Sequence, residues 1–579
     1  MSLPVQSIIP GRLEPAYLRE FQSLVDEQAV PRLWNKDPTL WPSEGRQAKS
    51  LKTNLGWLDL PAQMGPYMER VAKHAMDIES EGFEDVVFIA MGGSNLAAET
   101  ILHLPGAKLG KRLSLLDSTD PGSIIAIEKK LNLERALFVF SNKSGKGIET
   151  HALLLYFLDR LKTAGVPAPG RHFVALTEEN SYLADLARQY HFSGVFFDPP
   201  GISGRYSSLI HYGLFLAAVC HVDPRHLLVL MEAMRDACGP TAPARANPAL
   251  SLGAFLAAGE MEGLDRLLLL STASVERFMY RVGALVGAST GKGSHGIVPI
   301  FGQAANTQKM FEQACMVAML TMADDDSTEV LRKSQELKLA GVPVATIELH
   351  GPEVLGIELF KWEIATALAC SRIQVNPFDD PDVQHGRVNT AHILQQITTH
   401  REMPASAARV REAGLELHAE GEIRREISTL SMSEALRTFL ELCDPEGYLA
   451  LLPFLNLSPS MVAALLRVRD LLVSSLEIPV LVTSGPRYLH AIGQVYKGGP
   501  AKGLFLVLTA NAVEDLEIPG AAYTFGQLEL ALALGDFRAL VQQERPVLRL
   551  HLARGAEQGV AQLESVLTTS LVNRRRTAQ

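Results

Sequence analysis

From Val86 onward, short apolar runs alternate with segments of helical spacing, and this alternation constrains the fold more than any other feature. "VVFIA", "LSLLD", "ALFVF", "HFVAL" and "GVFF" read as buried strands. "SNLAAETILHL", "PGSIIAIEKKL" and "GIETHALLLYFLDRL" read as the helices between them. Strands apolar at every position and joined by helices predict a parallel sheet covered on both faces. Ligands of such sheets sit beyond the carboxyl ends of the strands. After a helical stretch around 206–262 the pattern restarts with "LDRLLLLST", "VERFMYRVGALVGAS", "VPVATIELH" and "GIELFKWEIATALACSR". A polar stretch follows, and then "IPVLVTS", "YLHAIGQVY", "GLFLVLTA", "LELALALGD" and "VLRLHL" resume the alternation. The expected architecture is α/β, two α/β/α sandwiches with parallel sheets. Residues 1–80 form a helical lead-in and 81–240 the first sandwich. Residues 241–390 and 446–579 share the second, and 391–445 are a helical insertion.

Composition narrows the function. The 579 residues are 47% hydrophobic, enough for large cores, and carry a formal net charge of -10 with a pI near 5.9. No clustered Lys and Arg favour nucleic acid or an anionic membrane surface. The "NRRRT" tail reads as a solvated end. Cys220, Cys238, Cys315, Cys370 and Cys443 are scattered and form no CxxC pair, so reduced thiols and a cytoplasmic location are expected. The start "MSLPVQSIIPGRLEP" has no basic region ahead of a long apolar core, so no signal peptide is expected. Apolar runs such as "GLFLAAVC" fall well short of the ~20 residues that span a bilayer. Trp34 and Trp41, around the Pro turn of "LWNKDPTLW", read as packing residues.

Three glycine-bearing segments are candidates for chemistry. In "VVFIAMGGSNLAAE", Gly92 and Gly93 let a backbone approach a ligand and Ser94 opens a helix. In "ALFVFSNKSGKGIET", Ser141 to Gly147 supply hydroxyls, amides and two lysines. Both junctions place free amides and partial positive charge at a helix N-terminus, which suits phosphate. The third, "LVGASTGKGSHGIVPI", is not a nucleotide P-loop. Gly287 is four positions before Gly291, and Gly293 rather than Ser or Thr follows Lys292. GxGxxG is absent, which argues against a dinucleotide.

At these residues the chain resembles a known family. "MGGSNLA", "SNKSGKGIET" and "GRYSSLIHYGLFLAA" look like the sugar-isomerase (SIS) signatures of phosphoglucose isomerase. "LWNKDPTLW", "NPFDDPDV", "GPRYLHAIGQVYKGGP", "IPGAAYTFGQLELALALGD" and "VLRLHL" resemble the isomerase half of bifunctional transaldolase/phosphoglucose isomerases. No transaldolase half is present. The resemblance runs from about residue 30 to 565. It implies two SIS-type sandwiches and interconversion of glucose 6-phosphate and fructose 6-phosphate, without metal or organic cofactor. It also implies a homodimer whose partner donates a histidine. Carried over by position, Gly93 and Ser94 line the sugar pocket, and Lys143 and Ser144 hold the phosphate. Arg205 steadies the enediolate, since a guanidinium is permanently charged. His490 assists ring opening as a general acid/base, the role histidine most often takes.

The departures matter as much. Ala288 stands where the resemblance implies the glutamate that moves the proton between the two sugar carbons, and a methyl group accepts no proton. Glu529 stands in place of a lysine, Asn142 in place of a serine or threonine, Gly147 in place of a threonine, and Tyr496 in place of a histidine. The nearest upstream carboxylate to Ala288 is Glu276, twelve residues away, so a shifted register does not rescue the base. Losing a general base typically costs ~10²–10⁴ in rate. Three functions follow: an isomerase of reduced activity in which Glu529 or Glu149 takes over as base, a sugar-phosphate-binding or regulatory protein without turnover, or a structural partner of an active isomerase or transaldolase.

Overall fold

The computed structural model describes residues 3–577 except 43–50, 52, 93–94, 96–97, 100–111, 144–146, 207–210, 222–223, 303–314, 352–353 and 405. The chain forms two compact units. The first comprises Met1–Asp117, Leu131–Gly302 and Phe311–Asp380; the second comprises Ser118–Lys130 and Pro381–Gln579.

The first unit opens with β1 (Val5–Ile9) and a largely helical stretch that includes α1 (Glu14–Asp26) and α2 (Met68–Ser80). Its first sheet contains β2 (Asp85–Ile89), β3 (Arg112–Leu116), β4 (Ala136–Ser141), β5 (Phe173–Thr177) and β6 (Gly194–Phe197). The order is β3-β2-β4-β5-β6 and every pairing is parallel. The segment between β3 and β4 carries α3 (Pro121–Glu128), and α4 (Ile148–Thr163) follows β4. Strands β2 and β5 are buried along their whole length, as a sheet with two covered faces requires.

The second sheet of this unit follows α5 (Pro248–Met261). It contains β7 (Arg266–Ser271), β8 (Val298–Phe301), β9 (Cys315–Met322) and β10 (Val344–Leu349), with α6 (Glu276–Thr290) between β7 and β8 and α7 (Leu355–Ile373) after β10. The order is β1-β10-β9-β7-β8, and β1 from the lead-in closes the edge antiparallel to β10. One continuous apolar core runs from Leu13 to Phe378.

The second unit starts with α8 (Pro381–His400). The hairpin β11 (Val410–Glu412) and β12 (Leu415–His418), then α9 (Ile423–Ile427) and α10 (Met432–Glu441), precede β13 (Tyr448–Phe454), β14 (Val480–Val482), β15 (Gly503–Ala510), α11 (Phe525–Gln542) and β16 (Val547–Leu552). These strands form a third sheet, ordered β11-β12-β16-β15-β13-β14, over a core of its own from Val410 to Leu571. Helices α8 and α11 approach closely: a Cβ on Gly535 would sit 2.1 Å from Thr390 Oγ1, so only glycine fits.

The α/β class with parallel sheets therefore stands, and strand pairing redraws the boundaries inside it. The strands of 446–579 do not complete the sheet of 241–390. Periodicity reports each strand-helix unit but not which neighbour a strand pairs with. The 391–445 segment is not wholly helical either, because its hairpin pairs antiparallel with β16.

Candidate functional site

In the first sheet the chain passes from β2 to β3 on one side and then crosses to β4 on the other. The loops after β2 and β4 thus flank a topological switch point, where open α/β sheets bind ligands. Both phosphate-type junctions lie there. Gly93, Ser94 and Ser144 fall outside the described residues, whereas Gly92, Asn142, Lys143 and Gly147 are described. Gly92 has a positive φ of 67°, the conformation glycine adopts without penalty.

Gly147 is the N-cap of the sixteen-residue α4. It has no side chain to cap with; nearby, Thr150 Oγ1 donates to Gly147 O at 3.1 Å and accepts from Asn142 Nδ2. A Cβ on Gly147 would lie 2.8 Å from that same Nδ2. The Asn142 carboxamide thus occupies room that a side chain at 147 would need. Thr177 Oγ1 donates to Asn142 O at 2.7 Å and anchors the loop to β5. Lys143 Nζ lies 3.5 Å from Glu178 Oε1, and burial lowers its pKa against the pull of that carboxylate.

A second cluster of the first unit surrounds Arg205 and Ala288. Aromatic packing seats it: Trp57 lies 4.9 Å from Tyr206, Tyr206 4.9 Å from Phe378, and Phe378 5.2 Å from Trp41. Trp41 Nε1 also donates to Ala367 O at 2.9 Å, so this tryptophan packs as expected. Arg205 and Asp379 are chain neighbours of the two central rings. Arg205 Nη1 donates to the backbone oxygens of Pro377 and Asp379, at 2.9 and 2.8 Å, so it is neither a surface ion pair nor wholly uncommitted. Its own carbonyl accepts from the buried Arg281 on α6.

Residues 287–290 form the last turn of α6, and the glycine run after them is a turn leading to β8. This explains the failure of a P-loop reading: a helix C-terminus presents carbonyls and partial negative charge, the reverse of what phosphate needs. Lys292 neutralises that end, donating to Ala288 O at 3.1 Å and Ser289 O at 2.7 Å, with Asp379 Oδ1 3.7 Å away. Burial brings the Lys292 amine down to about 8, with the nearby Arg205 acting in the same direction. Burial likewise raises Asp379, against Lys292 and Arg205. Beneath them Glu363 is pushed up to about 8 by burial, even though Arg281 stands 4.0 Å away. Ala288 itself is buried.

The second unit carries the other two positions. His490 ends a single 3-10 turn, Arg487–His490, and is half-buried. Gln494, four residues on, holds Asp382 through its Nε2 at 2.6 Å. Tyr488 donates to Asp536 on α11, and Lys497 pairs with Asp536 at 2.5 Å in the interior. Tyr496 packs 5.3 Å from Phe505 with its hydroxyl 3.4 Å from Thr483, so it is a core aromatic. Glu529 is buried on α11, and the Thr119 hydroxyl donates to its carboxylate. Glu149, the other carboxylate weighed as a base, is buried in the first turn of α4.

The structure thus brings together Asn142, Lys143 and Gly147 in one loop, and Arg205 and Ala288 in one cluster. Sequence reasoning missed Lys292 and Asp379 as members of that cluster. Their signal was present in "STGK" and "NPFDDPDV", but a lysine beside glycines and an acid beside prolines announce no partner until the chain is folded. Among the described residues, no group of three His, Cys, Asp or Glu side chains is placed to hold a metal, and no helix is long and apolar enough to cross a membrane.

No family model matches the chain. A glucose-6-phosphate isomerase of Methanocaldococcus jannaschii is 24% identical over 348 residues, covering 54% of this chain and 85% of that protein. A glucose-6-phosphate isomerase of Thermosynechococcus vestitus is 26% identical over 432 residues, covering 65% and 79% respectively. The crystal structure of a hypothetical protein from Thermus thermophilus shares the fold, with a TM-score of 0.57 at 21% identity over 67% of this chain and 99% of that one.

Proposed function

We infer that this chain, a phosphoglucose-isomerase-like member of the sugar-isomerase family, binds a hexose 6-phosphate and isomerises it at a strongly reduced rate. The observation that carries this reading is the Lys292 amine, which reaches the Ala288 carbonyl at 3.1 Å and lies 3.7 Å from Asp379, whose own carbonyl accepts from Arg205. Phosphate binding is supported by the N-terminus of α4 and by Lys143, both at the switch point of the first sheet. Arg205 has the permanent charge to stabilise an enediolate, and His490 the chemistry to open a sugar ring. The proton transfer between the two sugar carbons is the step left without its base. That loss corresponds to ~10²–10⁴ in rate, or ~3–5.5 kcal/mol.

Asp379 favours a second reading, in which residual turnover passes through a substitute carboxylate. It shares the cluster with Arg205 and Lys292, and burial moves it upward, toward the range of a general base. A homodimer and a cytosolic setting belong to the same proposal and are checked by light scattering and cell fractionation.

The test is calorimetric titration with glucose 6-phosphate and fructose 6-phosphate, paired with deuterium exchange at the substrate's second carbon. Saturable binding with slow exchange is expected. If Asp379→Asn abolishes the residual exchange and leaves binding intact, the substitute base is identified. Absence of binding at millimolar ligand overturns the proposal.

A further inference from the structure

We propose that the second unit holds another anion site, for a multiply phosphorylated small molecule, in the cleft between β12, α9 and α11. The cleft is a cavity of about 690 Å³ lined by Arg409, Arg424, Arg425 and Arg538, with His418 at its wall and Glu420 as its acidic residue. That volume lies within the range of small-molecule sites, ~300–1,000 Å³. Four permanent positive charges face one negative charge, on a chain whose net charge is -10.

The arginines are not spent on the protein. Among the described residues, none of the four makes an ion pair, whereas their neighbour Arg411 pairs with Glu416 at 3.1 Å. The Nε–H of Arg409 is buried and has no acceptor among the described residues. A buried donor left in that state calls for a partner from outside the fold. His418 reports the same field. Its Nδ1 lies 3.2 Å from Ser406 Oγ and its Nε2 lies 3.9 Å from Glu416. Burial first, then Arg549, His551, Arg411 and Arg409, bring its pKa down to about 3, so the ring is neutral and the cavity's charge belongs to the arginines.

Guanidinium groups bind phosphate oxygens in pairs, and four of them match more charge than a sugar monophosphate carries. A cavity, rather than a basic stripe along one face, fits a small molecule rather than a nucleic acid. This inference does not depend on activity at the sugar site.

The experiment titrates the full chain with inorganic pyrophosphate and with fructose 1,6-bisphosphate, against citrate and a single-stranded oligonucleotide. One molecule bound per chain is expected, with affinity falling as salt is raised. Arg424→Gln with Arg425→Gln, both exposed side chains, should weaken pyrophosphate binding at least tenfold and leave glucose 6-phosphate binding and the circular dichroism spectrum unchanged. Arg409→Lys, which keeps the charge but not the paired geometry, should give an intermediate loss. No pyrophosphate binding, or equal binding by wild type and the double variant, would overturn the site. Citrate binding as tightly as pyrophosphate would overturn the assignment to phosphate, and preference for the oligonucleotide would overturn the small molecule.

Discussion

At the scale of single residues, the loop ahead of α4 is held by contacts among its own side chains. Gly147 leaves room for the Asn142 carboxamide, and Thr150 serves both. Gly147→Thr alone should displace that carboxamide and weaken glucose 6-phosphate binding about tenfold, the equivalent of ~1.4 kcal/mol. Asn142→Ser combined with Gly147→Thr should restore it, as read by calorimetry. Glu363 supplies a pH signature. Its folded pKa, about 8, is raised above the ordinary value of 4.5, so the folded state binds the extra proton between these values. The stability this group contributes is complete below 4.5 and is lost as pH rises through about 8. The melting temperature of wild type should therefore fall relative to Glu363→Gln as pH is raised from 5 to 8; parallel curves would show that Glu363 does not titrate there. These relations were not legible in the sequence, since nothing in the letters places residue 363 under residue 281.

Elements repeat one plan in all three sheets. The chain lays down a strand, adds a neighbour on one side, and then crosses to the other side: β2, β3 and β4; β7, β8 and β9; β13, β14 and β15. Alternation made the strands of the first sheet legible, because their β-branched and aromatic residues lie between clear helical runs. It did not single out β9, "CMVAMLTM", whose three methionines suit a helix equally well. The three- and four-residue strands β11 and β12 are too short for any periodicity to appear. Helix α11, which carries Glu529 and Asp536, begins in a capping box: Thr524 Oγ1 accepts from Gln527 N at 3.2 Å and donates to Asp515 at 2.6 Å. Thr524→Ala should cost about 0.5–2 kcal/mol of the second unit's stability in urea unfolding, and an unchanged midpoint would deny the cap its role.

At the scale of the whole chain, two compact units predict two unfolding events. Residues of one core lie between Leu13 and Phe378, and those of the other between Val410 and Leu571. Scanning calorimetry should resolve two transitions, or a calorimetric enthalpy well above the van't Hoff value. Ser118–Lys130 belongs to the second unit although it lies between strands of the first. A cut at residue 380 would therefore release an incomplete unit. Sequence alone cannot foresee this, because the segment reads as an ordinary crossover helix.

The central claim is that a sugar-phosphate site persists around a missing proton carrier. Deuterium exchange at the second carbon of glucose 6-phosphate tests it most directly, comparing wild type with Ala288→Glu and with Ala288→Glu combined with Glu529→Lys. Slow exchange by the natural protein and a gain of about 10² or more in the double variant are expected. Wild-type exchange already as fast as that of the double variant would contradict it.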